Sequence, residues 1–274
     1  MDTTIIYYTD NTLAEPIAAR CRELLLESAE GLPIVSVSQE PIDLGENICV
    51  GKIGRSWLSL YKQLFAGLTA AKTRYVATAE HDCIYSPEHF RWTPPRDDTF
   101  YYNDNMWLGQ WQSTKPELDG MFSYWPRRLA LSQLICSREM LLNSTSNRLE
   151  VLDSGRGMAK RIKHIAEPGF TEIPAVGKDL KVRKGGTDTV VRDSPKWQKR
   201  LLRVQKYASN GSHAYLQPML DSLQVCLNNE KCEFFKTAVP NIDIRHKGNF
   251  TGPKRGRNRK WELEPWGKLE ELML

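Results

Sequence analysis

The sequence predicts an α/β protein built on a largely parallel sheet. Two observations carry this. Short β-rich runs alternate with amphipathic helical stretches over the first 80 residues, the pattern of βαβ units with right-handed crossovers. The strand-like runs are apolar throughout and bounded by turn residues, as strands covered on both faces are.

The elements follow in order. "IIYYT" at 5–9, closed by "DN", reads as a buried strand with a turn after it. Leu13, Ile17, Cys21, Leu24 and Ser28 then recur at helical spacing, with Leu25 widening the stripe, until Gly31 and Pro33 stop the helix. "PIVSVSQ" at 33–39 is the second strand. A loop follows, "EPIDLGENICVGKIGRS". Ser56 is placed to cap a helix running to about Lys72, whose apolar stripe is Trp57, Leu60, Tyr61, Leu64, Phe65 and Leu68. "RYVATA" at 74–79 is the third strand. Beyond it the sequence suggests a strand and turn at 99–109, a strand or helix leading into a second helix at 129–144, and an amphipathic helix at 196–207 in a basic, loop-rich remainder.

With 274 residues, 41% hydrophobic and 26% charged, the chain can bury a substantial core and is not of disordered composition. It contains no apolar run of about 18 residues, which excludes a spanning helix at the usual length, and an acidic residue at position 2 followed at once by a strand-like run is unlike a signal peptide, so a cytoplasmic location is the expectation. Six cysteines without a CxxC pair read as reduced thiols, not as a disulfide frame or zinc site. Charge is unevenly spread. Residues 1–120 hold 10 Lys+Arg and 17 Asp+Glu, whereas 121–274 hold 28 and 16. The acidic 1–120 and basic 121–274 portions are expected to form one continuous domain, the basic one facing a polyanionic partner.

The informative motif is "YVATAEHDCIY", where a buried strand ends in Glu80, His81 and Asp82. In open parallel sheets ligands bind beyond the carboxyl ends of the strands. Carboxylates there suit Mg²⁺ or Mn²⁺, which are held by one or two acidic groups plus substrate phosphates. His81, between the two acids, is expected to point away. Upstream, "VGKIGRS" offers Gly51 and Gly54 for close backbone approach, Lys52 and Arg55 for charge, and a helix N-terminus. It is neither a Walker A loop nor GxGxxG, so a nucleoside diphosphate is the better expectation.

Together, "GRSWLSLYKQLFAGL", "YVATAEHDCIY", "FYYNDNMW" and "NIDIRHKGNFTGPKR" resemble nucleotide-sugar-dependent glycosyltransferases of the GT-A fold, and specifically bacteriophage enzymes that modify hydroxymethylated DNA bases. The resemblance covers roughly the first 110 residues and 240–256, and implies that 1–120 binds the donor and 121–274 the acceptor. It implies a GT-A-like Rossmann-type sheet with a basic, loop-rich C-terminal portion, and transfer of a sugar from a UDP-sugar with Mn²⁺ or Mg²⁺. It implies Asp82 as main metal ligand, Glu80 as a supporting one and His246 completing the site. Thr9, Asp10, Asn11 and Gln39 would hold base and ribose, and Lys52 and Arg55 the diphosphate. "EHD" departs from the family's DxD, and no "ED" pair marks a catalytic base, which leaves Glu167 and Asp188, with Asp104 as a third candidate.

The segment 245–260, "RHKGNFTGPKRGRNRK", carries seven Lys+Arg and no acid. The segment suits a polyanion, either the donor diphosphate, for which Arg245 is also a candidate, or a nucleic-acid backbone. With the resemblance, Arg245, Lys247, Lys254, Arg255, Arg257 and Arg259 are the expected contacts to double-stranded DNA containing hydroxymethylated bases, with Phe250, Trp261 and Trp266 available to stack. Arg156, Lys160, Arg161 and Lys163, and Lys196, Lys199, Arg200 and Arg203, extend the basic surface. Two alternatives remain: a transferase acting on surface polysaccharide or a lipid-linked glycan, and a non-catalytic nucleic-acid-binding protein.

Overall fold

The computed structural model describes residues 2–113, 115–124, 129–153, 167–169, 230–248 and 257–274. A seven-stranded sheet lies at its centre, in the order β10-β6-β9-β4-β1-β2-β3. Its strands are β1 (Thr3–Thr9), β2 (Ile34–Ser38), β3 (Glu46–Cys49), β4 (Tyr75–Glu80), β6 (Phe100–Asn103), β9 (Leu134–Ser137) and β10 (Cys232–Phe235). Every neighbouring pair is parallel except those made by β9, which runs against both β4 and β6. This is the Rossmann-type α/β sheet that the sequence predicts.

The apolar runs explain the layering. In β1, Ile6 and Tyr8 pack with α2 (Trp57–Ala70) and α4 (Arg138–Asp153) on one face, while Ile5 and Tyr7 meet α1 (Glu15–Ala29) and α3 (Pro87–Arg91) on the other. Helix α2 begins where Ser56 Oγ accepts the Ser59 N–H at 3.1 Å. β3 is the element the sequence reading leaves in a loop, because "ENIC" is short, exposed and bounded by turn residues. At 129–144 the ambiguous stretch resolves into a 3₁₀ turn at Leu131–Gln133, strand β9 and helix α4. The helix expected at 196–207 lies outside the described residues.

A second, five-stranded sheet has the order β12-β8-β7-β11-β5. It comprises β5 (Cys83–Ile84), β7 (Met106–Gln110), β8 (Phe122–Tyr124), β11 (Asn241–Arg245) and β12 (Arg257–Lys260), and a short helix α5 (Leu269–Met273) packs its leucines into the same cluster as Ile242 and Ile244. Both sheets draw strands from either side of residue 120. β11 pairs antiparallel with β5, Asp243 opposite Cys83, and the Ile244 N–H donates to Asp82 O at 2.7 Å. That pairing lays the carboxyl end of β11 against the turn that follows β4. No helix among the described residues is long and apolar enough to cross a membrane.

Candidate functional site

A pocket opens where β1, β2 and β4 end. Tyr8, Thr9, Asp10, Gln39, Arg55, Trp57, Gln63, Glu80, His81, Asp82, Glu167, Asp243 and Arg245 are among the side chains that line it. Its position follows from the sheet: Tyr8 is in register with Glu80 and Thr9 with Ser38, so the last residues of three parallel strands come level at one edge.

The acidic motif divides into two unlike groups. Glu80 accepts a hydrogen bond from Tyr8 Oη at 2.5 Å. Burial and the neighbouring Asp82 charge push its carboxyl up to about 8, against the opposing pull of that bond. Burial also works against ionisation of Asp82, but the His246 imidazole, His81 and the Arg245 guanidinium outweigh it and hold this carboxyl well below the usual range. The two carboxyls are thus pushed in opposite directions, ionisation being favoured at Asp82 and opposed at Glu80. The acid best suited to a cation is Asp82.

His81 does not point away. Strand β4 ends at Glu80, so the two-residue alternation stops there and His81 and Asp82 share a turn on the pocket side. His81 Nδ1 lies 2.7 Å from Thr9 Oγ1 and 3.8 Å from Asp10 Oδ1, and burial lowers the pKa of the ring despite both nearby carboxylates. His246, just past β11, sets Nε2 3.6 Å from Asp82 Oδ2 while its Nδ1 accepts the Gly248 N–H at 3.1 Å.

His81, Asp82 and His246 therefore converge, one ligand atom from each within 4.8 Å of the others. A divalent ion with bonds of about 2.1 Å spans about 4.2 Å across its coordination sphere, so the set fits such an ion after a small contraction. In the neutral ring the Gly248 contact keeps the proton on Nε2; coordination through that atom would move the proton to Nδ1 and give up the Gly248 contact. A second grouping, Glu80, Asp82 and Cys83, is chemically poorer, because burial raises the Cys83 thiol far above its usual range.

The remaining predicted residues sort as follows. Thr9, Asp10, Gln39 and Arg55 line the pocket. Arg55 binds Asp10 Oδ2 through Nε at 3.0 Å and Gly248 O through Nη1 at 2.8 Å, joining the tip of β1 to the turn after β11. Asn11 is instead a clamp: its Oδ1 accepts the N–H groups of Gln39 at 2.8 Å and Glu40 at 3.0 Å, and it does not line the pocket. Lys52 is likewise outside. Its side chain is 80% exposed and paired with Glu40 at 2.9 Å, where the ammonium keeps its hydration. Glu167 lines the pocket, whereas Asp188 lies outside the described residues. Asp104 accepts from Tyr124 Oη at 3.1 Å and is no part of the pocket.

Among the expected DNA contacts, Arg245 is displaced inward. Alternation along β11 puts Asp243 and Arg245 on one face, where they form a buried ion pair inside the pocket and Ile242 and Ile244 fill the core opposite. Lys247 and Arg259 are exposed, Arg257 opens β12, and Lys254 and Arg255 lie outside the described residues, as do Phe250 and the clusters at 156–163 and 196–203. Trp266 is tied to Pro240 O through its indole N–H at 2.7 Å and packs, half-buried, against the cluster of Ile242 and Ile244. Trp57, Leu60, Gln63 and Asp243 line the pocket without having been predicted to. The signal for Asp243 was present in the i, i+2 spacing of "NIDIR"; Trp57 and Leu60 were hidden in an apolar stripe that serves core and pocket together.

No protein-family model and no curated protein matches the sequence. Among solved structures, the chain is similar to a glycosyltransferase involved in glycosylation of the major capsid of PBCV-1, with 12% identity, 57% of this chain and 68% of that one covered, and a TM-score of 0.35. It is similar to the mannosyltransferase PcManGT from Pyrobaculum calidifontis, determined with GDP-Man and Mn²⁺, with 11% identity, coverage of 55% and 52%, and a TM-score of 0.35. A third is the bifunctional IspDF from Campylobacter jejuni, with 12% identity, coverage of 59% and 47%, and a TM-score of 0.34. The chain spans about half the length of the latter two. Any functional reading rests on the geometry of the site itself.

Proposed function

We propose that this chain is a metal-assisted glycosyltransferase that moves a sugar from a nucleoside diphosphate sugar, a UDP-sugar, to the hydroxyl of a 5-hydroxymethylpyrimidine in DNA. The observation that carries the enzyme reading is the convergence of Asp82, His81 and His246 with Arg55 and Arg245 in one pocket at the carboxyl ends of three parallel strands.

Asp82, His81 and His246 would hold the cation, and imidazole ligands favour Mn²⁺ over Mg²⁺. When bound, the ion supplies Lewis-acid stabilisation of the charge on a departing diphosphate. Arg55 and Arg245 add fixed donors for the same oxygens, in a pocket where partial burial strengthens them. Trp57 and Leu60 form an apolar wall against which a base can lie. Glu167 is the candidate to accept the acceptor hydroxyl's proton.

The DNA acceptor is supported by the charge division along the chain and by the exposed edge strand β12, where Arg259 and Lys260 precede a Trp261 that is 59% exposed. Such a strip suits a phosphate backbone, with affinity that falls steeply as salt rises. The test is incubation with Mn²⁺, a panel of nucleotide sugars and hydroxymethylated or unmodified DNA, followed by mass spectrometry of the nucleosides. A hexose or pentose mass added only to the hydroxymethylated nucleoside is the expected result. Donor hydrolysis without nucleoside modification would remove the DNA acceptor, and no hydrolysis of any donor would remove the enzyme reading.

A further inference from the structure

We infer that Gln63 reads the base of the bound nucleotide, its side-chain oxygen accepting a hydrogen bond from a ring N–H of the kind uracil and guanine carry. The inference rests on the reading of this pocket as a nucleotide site and adds to it which bases the site admits.

Gln63 lies on α2 and is 3% exposed, yet its side chain lines the pocket. Its Nε2 donates to Thr9 O at 2.7 Å and to Val37 O at 3.1 Å, the carbonyls at the ends of β1 and β2. A primary amide has two N–H bonds, and both are spent on these strands. The amide cannot be turned over, because Oε1 would then face two carbonyl oxygens. Oε1 accepts no hydrogen bond from the described residues and stays open to the pocket. A ligand that fills the pocket displaces water from this acceptor, so one that brings a donor to it binds better than one that leaves it desolvated and unpaired.

The surroundings say what that ligand group is. Trp57 and Leu60 provide an apolar wall suited to a flat ring, and Thr9 and Ser59 border the same region. The nearby Gln39 amide is engaged in both directions with Gly54, through Nε2 to Gly54 O at 2.6 Å and from Gly54 N–H to Oε1 at 3.0 Å, which fixes its orientation and uses one lone pair of its oxygen. Gln63 therefore presents an acceptor and no donor. Uracil N3–H and guanine N1–H answer it. The corresponding ring nitrogens of cytosine and adenine carry lone pairs and would face Oε1 with repulsion.

The experiment compares binding of UDP with N3-methyl-UDP, and of GDP with N1-methyl-GDP, to the full chain in Mn²⁺ by titration calorimetry, for the wild type and for Gln63→Met. The wild type is expected to prefer at least one parent base over its methylated form by about ten-fold or more. In Gln63→Met, which keeps the length but loses the acceptor, the parent's affinity is expected to fall to that of its methylated form. A merely structural role for Gln63 would weaken both ligands together and leave their ratio unchanged, which would overturn the inference. Equal wild-type binding of parent and methylated bases would overturn it without needing the variant to fold, and would leave the nucleotide reading standing. Failure of every nucleoside diphosphate to bind would remove both.

Discussion

Asp82 is the residue on which the site turns, since it combines a carboxyl held in its charged form with two imidazoles in reach. Replacing it with asparagine keeps the shape and removes the charge. Asp82→Asn is expected to weaken Mn²⁺ binding and donor turnover by on the order of 100-fold or more, read by calorimetry and donor hydrolysis. Wild-type Mn²⁺ affinity in this variant would withdraw Asp82 as a ligand. The three residues of "EHD" were legible as a candidate from their place at a strand end; the assignment of charge within them was not. That assignment depends on Tyr8 Oη, 72 residues earlier in the chain, and on His246 and Arg245, more than 160 residues later.

Two further predictions belong to individual elements. Helix α2 crosses β1 and β2 at Gly67, where an added Cβ would come 2.7 Å from Ile6 Cγ2 and 3.0 Å from Val37 Cγ2. Alanine gains about 1 kcal/mol of helix propensity there, but overpacking against two β-branched core residues costs about 1–3 kcal/mol. Gly67→Ala is expected to lose about 1 kcal/mol net, seen as a lower urea midpoint; an unchanged or higher midpoint would mean the helix moves away freely.

Helix α3 carries the second. His89 is fully buried, stacked with Tyr85 and Phe235, and burial alone lowers its pKa to about 3. The unfolded chain therefore binds a proton below about 6.5 that the folded chain refuses, and stability falls as pH drops from about 6.5 toward 3, by up to about 1.4 kcal/mol per pH unit. Chemical denaturation of the wild type and His89→Leu across that range checks this. The difference between their unfolding free energies should change with pH in the stated direction, and a constant difference would show that His89 is protonated in the fold.

At the scale of the whole molecule, one buried ion pair joins distant stretches of sequence. Arg148 on α4 meets both oxygens of Glu230, Nη1 to Oε1 at 2.8 Å and Nη2 to Oε2 at 2.9 Å, and the Gly169 N–H also donates to Oε2 at 2.8 Å. Burial opposes the charge on Glu230, but Arg148, Ser144 and Gly169 outweigh it and lower its pKa. Breaking such a pair leaves a buried guanidinium uncompensated. Glu230→Leu is expected to cost about 3–5 kcal/mol, measured by equilibrium unfolding. The joint double replacement Arg148→Met with Glu230→Leu is expected to recover much of that loss, and its failure to do so would mean the pair contributes through more than charge compensation.

By itself, the sequence determined the local features of this protein. Periodicity, caps and breakers sufficed for β1, α1, β2, α2 and β4, because neighbouring residues decide whether a segment is a strand covered on both faces or an amphipathic helix. They also located an acidic motif where a parallel sheet opens to ligands. Only the tertiary structure decided that His81 turns toward the pocket, that Arg245 is drawn inside it beside Asp243, that Lys52 stays out, and that Gln63 presents its oxygen alone. Each of those outcomes depends on a partner remote in sequence. Hydrogen-bond direction and burial are properties of the assembled contacts, and no local pattern encodes them.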